Sequence, residues 1–434
     1  MKIAILGYGS EGKAAYNHWL SKPDTEITIC DSSPALQVPD GVLSKLGDDY
    51  LKELSAFDLV VRSPGIQPSK IVESNGESIL SRVTTGTNEF LKGCPTQNII
   101  GVTGTKGKGT TSTLIAKMLE SAGKKVHLGG NIGVAPISML SVSISPDDWV
   151  VLELSSFQLI DIKSAPHIGV CLMVVPEHLD WHKDVNEYFD AKRQLFLMQT
   201  PRDIAIFYAD NETSRDIASS SPGKKIPYYE EPGAIVSNNQ ISIDGQIICQ
   251  TGELKLLGKH NWQNVCAAIT CVWQVTQDVD AIRSVLTTFT GLEHRLELVK
   301  EIDGVKYYDD SFATTPESAI VAIEAFSSPK VLILGGSEKG ANFHALAETV
   351  KDNDVRRVVV IGNTAQKIKS ELETVGFKDI TEGGQTIDEI VESARSTAQR
   401  GDVVLLSTGC ASFGLFENYK DRGDKFKKAV QSLS

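Results

Sequence analysis

The sequence predicts an α/β protein of three tandem domains, each an open, mostly parallel sheet wrapped by helices. Three observations lead there. Short β-rich runs alternate with helical stretches along the whole chain. Two glycine-rich turns, at 7–12 and 104–109, each carry a strand into a helix. A length of 434 residues also exceeds what one compact core accommodates.

The first domain covers 1–93. Its clear strands are Lys2 to Leu6, Glu26 to Cys30 and Leu59 to Val61. Between the first strand and its helix lies Gly7-Tyr8-Gly9-Ser10-Glu11-Gly12, a GxGxxG turn, and Asp31 ends the second strand about 20 residues on, where an acidic side chain takes ribose hydroxyls. That makes the domain Rossmann-like. The turn alone fits any nucleotide diphosphate, NAD included, but no later segment offers a hydride-transfer site.

The second domain, 94–298, opens with the apolar strand Ile99-Ile100-Gly101-Val102 and the loop Thr103-Gly104-Thr105-Lys106-Gly107-Lys108-Gly109-Thr110-Thr111, followed by a helix from Ser112 to Ala122. This is a phosphate cradle, or P-loop. Glycines let backbone N–H groups converge on anionic oxygens, the helix N-terminus adds its positive end, and Lys108 supplies a cation for the outer phosphates. Val102 occupies the usual first-glycine position and Gly109 stands where a hydroxyl would hold magnesium, so Thr110 is expected to supply that hydroxyl. The central sheet is therefore ATPase-like, with further strands at Trp149 to Leu154, His167 to Val175 and Ile204 to Tyr208, and an Asp-Gly hairpin at 241–248.

Glu153 ends one of these strands about 45 residues after Lys108, where a carboxylate holds a Mg²⁺ bridging the outer phosphates. Pro176-Glu177-His178-Leu179-Asp180-Trp181-His182 follows another. The His-x-x-x-His spacing would suit zinc on a helix, but Pro176 marks a loop entry, so His178 is read beside magnesium. A helix from Val185 to Phe196 carries Lys192, which by its surroundings in the sequence reads as a solvated surface lysine. Asn261 and Asn264 precede an apolar helix from Val265 to Val275; their amides either read a base edge or cap that helix.

The third domain, 299–434, opens with a second Asp-Gly hairpin, Glu301 to Tyr308, and continues through buried strands at Val331 to Leu334, Val358 to Ile361 and Val403 to Leu406. It too reads as a Rossmann-like unit.

A net charge of −12 disfavours nucleic acid as a partner. Seven cysteines stand at 30, 94, 171, 249, 266, 271 and 410 without a CxxC pair, which predicts core thiols in a reducing compartment. No apolar run reaches a membrane span, and the start reads as a buried strand instead of a signal peptide, so a cytoplasmic location is expected.

Taken together, the motifs resemble those of the Mur ligase family, ATP-dependent amide-forming enzymes of peptidoglycan precursor synthesis. The similarity spans the chain: TGTKGKGTT at 103–111, GGNIG at 129–133, LELSSFQL at 152–159, EHLDWH at 177–182, GKHNWQN at 258–264, EHR at 293–295, DDSFATT at 309–315, LGGSEKGANF at 334–343 and CASFGLFENYKDRG at 410–423. The SerPheGln and CysAlaSerPhe stretches look most like those of the glutamate-adding branch.

The resemblance implies that ATP phosphorylates the carboxylate of UDP-N-acetylmuramoyl-L-alanine and that the amine of glutamate attacks the acyl phosphate. It assigns the ATP phosphates to Gly104, Thr105, Lys106, Gly107, Lys108, Gly109, Thr110 and Thr111, adenine to Asn261 and Asn264, the ribose to Asp310 and charge neutralisation to Arg295. Two magnesium ions are implied, with Thr110, Glu153, His178 and a carbamylated Lys192 as ligands. Gly9, Ser10, Glu11, Gly12, Asp31, Ser63, Gly65, Asn131, Ser155 and Gln158 would take the sugar nucleotide. Thr314, Lys339, Ser412, Phe413 and Tyr419 would grip glutamate. A monomer acting on small molecules, away from nucleic acid and membranes, is implied as well.

Three stretches depart from the family pattern. Lys106-Gly107-Lys108-Gly109 stands for Asn-Gly-Lys-Ser, Pro176-Glu177-His178 for Glu-Asp-His, and Asp310-Ser311-Phe312 for Asp-Ser-Lys. Phe312 removes an expected phosphate cation, which Lys106 is the nearest residue in the loop to replace. D-glutamate is the favoured amino acid, with an L-glutamate-adding relative and a degenerate nucleotide-binding regulator as the alternatives.

Overall fold

The computed structural model describes residues 1–338 and 340–433. The β-branched runs seen in the sequence become the centres of three of the four sheets, because both faces of a parallel strand are covered and must be apolar. Strands β1 (Lys2–Leu6), β2 (Glu26–Asp31), β3 (Leu43–Leu46), β4 (Leu59–Arg62) and β5 (Val83–Thr85) form a parallel sheet in the order β3-β2-β1-β4-β5. The order reverses at β1, so the Gly7 turn and the loop after β4 share the crevice at the carboxyl edge.

A second parallel sheet holds β6 (Ile99–Thr103), β7 (Val126–Gly130), β8 (Trp149–Glu153), β9 (Ile168–Cys171), β10 (Ile204–Tyr208) and β11 (Lys224–Tyr228), ordered β11-β10-β9-β6-β8-β7. Here the reversal falls at β6, which places the 104–109 loop at the switch point. An antiparallel appendage of β12 (Ile235–Ser237), β13 (Gln240–Ile243) and β14 (Gln246–Gln250) contains the expected Asp-Gly hairpin.

The last sheet combines β15 (Glu297–Ile302), β16 (Val305–Asp309), β17 (Lys330–Gly336), β18 (Val355–Gly362), β19 (Ile380–Glu382) and β20 (Val403–Leu406), in the order β15-β16-β20-β17-β18-β19. Only the β15–β16 pair is antiparallel.

The chain divides into two compact units: Met1–Glu253 with Trp262–Thr287, and Leu254–Asn261 with the segment from Thr288 onward. The first two sheets and the appendage lie in unit 1, the last sheet in unit 2.

Three expected boundaries are corrected. The helix after the phosphate loop runs Lys108–Ser121, four residues earlier than Ser112, because Gly107 at φ 86° turns the chain straight into it. The helix expected at Val265 to Val275 runs His260–Trp273, again just after a glycine with positive φ, Gly258. Strand β9 stops at Cys171 instead of reaching Val175, because the N–H groups of Val174 and Val175 go to the side chains of Asn211 and Thr105.

All seven cysteines are buried free thiols. Among the described residues, no helix is long and apolar enough to cross a membrane.

Candidate active site

The phosphate loop is built by close approach. A Cβ on Gly104 would lie 2.6 Å from the Leu172 side chain, and one on Gly107 would lie 2.1 Å from Asn264 Oδ1. Thr105 is buried; its hydroxyl donates to the Val175 carbonyl and meets the Tyr188 hydroxyl at 2.9 Å, which pins the loop to the segment after β9 and to the helix Val185–Leu197. Lys108 folds back over the loop, donating to the carbonyls of Gly104 and Thr105 at 3.1 and 3.0 Å. Gly109, Thr110 and Thr111 are buried in the first turn of the following helix. Exposed Lys106 forms a 2.5 Å ion pair with Glu177.

Lys192 is the surprise of the helix Val185–Leu197. The surface reading is corrected: its side chain is 1% exposed. Nζ donates to the Gly104 carbonyl at 2.8 Å and lies 4.6 Å from the centre of the Tyr188 ring. Among the described residues it forms no ion pair, and burial, with Lys108 nearby, pushes its pKa well below the ordinary lysine value. Two amines therefore converge on one carbonyl of the phosphate loop.

Parallel pairing sets Glu153 beside Val102, at the mouth of that loop. Its side chain is buried and accepts from Asn131 Nδ2 at 2.8 Å, while its carbonyl accepts from Asn131 N. His178 adopts φ 58° and packs on Phe157, with ring centres 4.8 Å apart. Burial lowers its pKa against the opposing pull of Glu177. Lys108, Glu153, His178 and Lys192 are thus gathered around the loop within unit 1. His182, the other half of the His-x-x-x-His pair, is buried against Ser156 Oγ at 2.9 Å and Glu187.

The residues expected to take the sugar nucleotide interlock in the same unit. Ser155 and Gln158 form a capping box at the helix Ser156–Leu159, and Gln158 Nε2 donates to Glu11 Oε1 at 2.8 Å. Burial raises the Glu11 pKa. Gly12 is required by packing, since a Cβ there would lie 1.9 Å from the Gly7 carbonyl oxygen. Ser63 Oγ donates to that carbonyl at 2.8 Å, and the Gly65 carbonyl accepts from Trp181 Nε1. Gly9 caps the helix Ser10–Leu20, leaving Gly9 and Ser10 exposed. Asp31 accepts from the N–H groups of Tyr8 and Ser33 at 2.8 and 2.9 Å, so it braces the glycine turn.

The two asparagines do not act as helix caps. Both lie within the helix His260–Trp273: Asn261 Nδ2 donates to the Leu257 carbonyl, and Asn264 Oδ1 accepts from Thr111 Oγ1 at 3.5 Å.

In unit 2, Asp309 ends β16, Asp310 follows it, and the two part ways. Asp309 Oδ2 meets His294 Nδ1 at 2.7 Å, whereas Asp310 accepts from Ser407 Oγ at 2.6 Å and from Leu296 N at 3.2 Å. Burial pushes the Asp310 pKa up to about 7 despite those bonds. The Arg295 guanidinium lies over the Phe312 ring, 3.8 Å from its centre. Thr314 is half-buried, Ser412 buried and Phe413 exposed. Tyr419 begins the helix Tyr419–Ser432, its ring edge-on to Phe312 at 5.0 Å. Lys339 lies outside the described residues.

Residues 102–272 match the Mur ligase middle domain, and residues 294–410 the Mur ligase glutamate ligase domain. The whole chain aligns at 38% identity with 97% of a UDP-N-acetylmuramoylalanine--D-glutamate ligase from Clostridium kluyveri. The chain belongs to the Mur ligase family. A protein of the same name from Clostridium tetani is 34% identical, again over all of this chain and 97% of its own. The fold of this Mur ligase matches that of MurF ligase from Thermotoga maritima, solved in complex with ADP, with a TM-score of 0.63 at 17% identity over 100% of this chain and 95% of the other.

Two residues escaped the sequence reading. Tyr188 anchors both Thr105 and Lys192, and its only signal is the i, i+4 spacing to Lys192 on one helix face. Arg422 is fully buried and donates to the Ser311 hydroxyl and carbonyl and to the Cys410 carbonyl, tying two of the recognised motifs together.

Proposed function

We propose that this Mur ligase joins D-glutamate to UDP-N-acetylmuramoyl-L-alanine at the expense of ATP, releasing ADP and phosphate, in the cytoplasmic synthesis of peptidoglycan precursor. The observation that carries the phosphoryl chemistry is the pair of lysines, 108 and 192, meeting at the Gly104 carbonyl beside Glu153. The choice of substrates rests on full-length similarity to ligases of that name.

A carboxylate is a poor electrophile. Its oxygen attacks the γ-phosphorus of ATP, the bond to the β-phosphate oxygen breaks, and ADP leaves. The glutamate nitrogen then attacks the acyl carbon, loses a proton, and expels phosphate to leave an amide. Each step crowds anions together, and preorganised cations and N–H groups offset that charge. In our reading Lys108 and the loop from Gly104 to Thr111 grip the phosphates, Arg295 adds a cation, Asn261 and Asn264 face adenine, and Asp310 holds the ribose.

The donor set around the loop fits a hard divalent ion: a Thr110 hydroxyl, the Glu153 carboxylate and the His178 imidazole. Mg²⁺ held there would neutralise phosphate charge. Lys192 also fits carbamylation, since a buried amine with a depressed pKa is a nucleophile toward CO₂, and the product would present an anionic oxygen. Glu11, Ser155, Gln158, Asn131 and the turns at Gly9 and Ser63 are proposed to hold the sugar nucleotide. Thr314, Lys339, Ser412, Phe413 and Tyr419 are proposed to hold glutamate. Three domains, at 1–93, 94–298 and 299–434, and a monomeric state complete the proposal.

The test is phosphate release with purified protein. Release is expected only when ATP, UDP-N-acetylmuramoyl-L-alanine and D-glutamate are all present, with L-glutamate inactive. Formation of AMP, or equal turnover with L-glutamate, overturns the reading.

A further inference from the structure

We infer that Phe312 is a positioning residue that holds the Arg295 guanidinium flat for a phosphate of ATP. Where the family pattern implies a second cation, this chain orders the one it has. This rests on the assignment of Arg295 to ATP made above.

The stacking is close and the platform is fixed. Arg295 Cζ sits 3.8 Å from the centre of the Phe312 ring. Phe312 N donates to the His294 carbonyl at 3.0 Å, which ties the ring to the residue preceding Arg295. On its other side Ser311 is held four ways: its N–H donates to Asp309 Oδ1, its hydroxyl donates to the Tyr419 carbonyl, and its hydroxyl and carbonyl accept from buried Arg422 at 2.8 and 2.7 Å. The ring edge abuts Tyr419. With 39% of its surface exposed, Phe312 is not a core residue. A large apolar side chain kept at a loop surface and covered by a cation has a reason to be there.

The chemistry follows from guanidinium geometry. All five N–H donors of arginine lie in one plane, and stacking uses the face perpendicular to them. A stacked arginine is therefore oriented without spending in-plane donors, which suit two phosphate oxygens at once. An unstacked arginine must lose rotamer freedom on binding; one already laid on a ring has lost much of it. Lysine at 312 would add charge, whereas phenylalanine adds order to the charge already present.

The experiment measures the dissociation constant of Mg-ATP, together with KM and kcat for the ligase reaction, in full-length protein. Phe312→Leu is expected to weaken Mg-ATP binding about 5-fold, raise KM for ATP to match, and leave KM for UDP-N-acetylmuramoyl-L-alanine unchanged. Phe312→Tyr, which keeps the ring, should bind as wild type does. Arg295→Lys loses the planar stack, and adding Phe312→Leu to it should cost nothing further. If Phe312→Leu melts early, Phe312→Met substitutes as a full-volume, non-planar side chain. Wild-type Mg-ATP affinity in Phe312→Leu, or additive losses in the double variant, overturns the role of Phe312 alone. Absence of ligase turnover in the wild type overturns the parent reading instead.

Discussion

Replacing Lys192 separates what the amine contributes to chemistry from what it costs the fold. In Lys192→Met the chain volume is nearly kept, and a thioether is a good neighbour for the Tyr188 ring. One hydrogen bond to the Gly104 carbonyl disappears, but Lys108 still donates to that oxygen at 3.1 Å, so no buried acceptor is orphaned. The lost bond costs about 1 kcal/mol. Against it stands the desolvation of a 1%-exposed amine without an ion pair, a penalty of several kcal/mol that methionine removes. The unfolding midpoint in urea should stay level or rise. Turnover should nonetheless fall roughly 100-fold, the scale of losing a metal-site ligand. Lys192→Ala should lose comparable activity and also about 2–4 kcal/mol of stability through its cavity, and short-chain acids or bicarbonate should partly restore its turnover by entering that cavity. Lys192→Met, with the space filled, should show no rescue. Turnover of Lys192→Met within tenfold of wild type, or destabilisation beyond about 3 kcal/mol as for a broken buried ion pair, would refute this reasoning.

Glu153→Gln should keep its bond to Asn131 by presenting the amide oxygen; turnover should fall by roughly 100-fold or more with an unchanged circular dichroism melt, and a normal rate would remove Glu153 from the site. Gly107→Ala should weaken ATP binding and cost about 1–3 kcal/mol, because φ 86° strains an L-residue and the new Cβ drives Asn264 away; isothermal titration and urea melts check both. His294 is opposed by burial, but its hydrogen bond and proximity to Asp309 raise its pKa above the usual 6.5. Its stabilising contribution is therefore complete below that value and fades as pH rises through the folded pKa. The stability gap between wild type and His294→Gln should narrow as pH rises above 6.5, and a gap that widens contradicts the pairing.

Much of the architecture was legible because parallel strands must be apolar on both faces. Ile3 to Leu6, Val150 to Leu152 and Val331 to Leu334 stand out as uninterrupted buried runs, and the two Asp-Gly turns announce their hairpins. The phosphate loop was legible because its glycines answer a steric demand that the Leu172 and Asn264 contacts make explicit. Helix starts were less so. Residues 108–111 and 260–264 are rich in glycine, threonine and asparagine, which have low helix propensity, and the N–H groups at a helix start need no helical partner, so composition does not mark where the turn begins. Lys192 looks like any solvated helix lysine until Tyr188, Thr105 and Gly104 close over it, and the last two come from a segment over eighty residues away. The Arg295–Phe312 stack was hidden for the same reason: the charge lost at 312 is visible in the sequence, whereas the ring beneath the neighbouring guanidinium is visible only in three dimensions.

The parting of Asp309 and Asp310 turns the strand from Val305 to Asp309 into a ruler. Successive residues at a strand's end face opposite ways, so which acid meets His294 and which meets Ser407 is a matter of parity. One residue inserted after Gly304 but before Tyr308 would carry Asp309 to the position that faces Ser407 and set Tyr308 opposite His294. The hairpin tip is tied as well, the Gly304 carbonyl accepting from Gly401 N at 2.9 Å, so the count of residues between tip and acids is held at both ends.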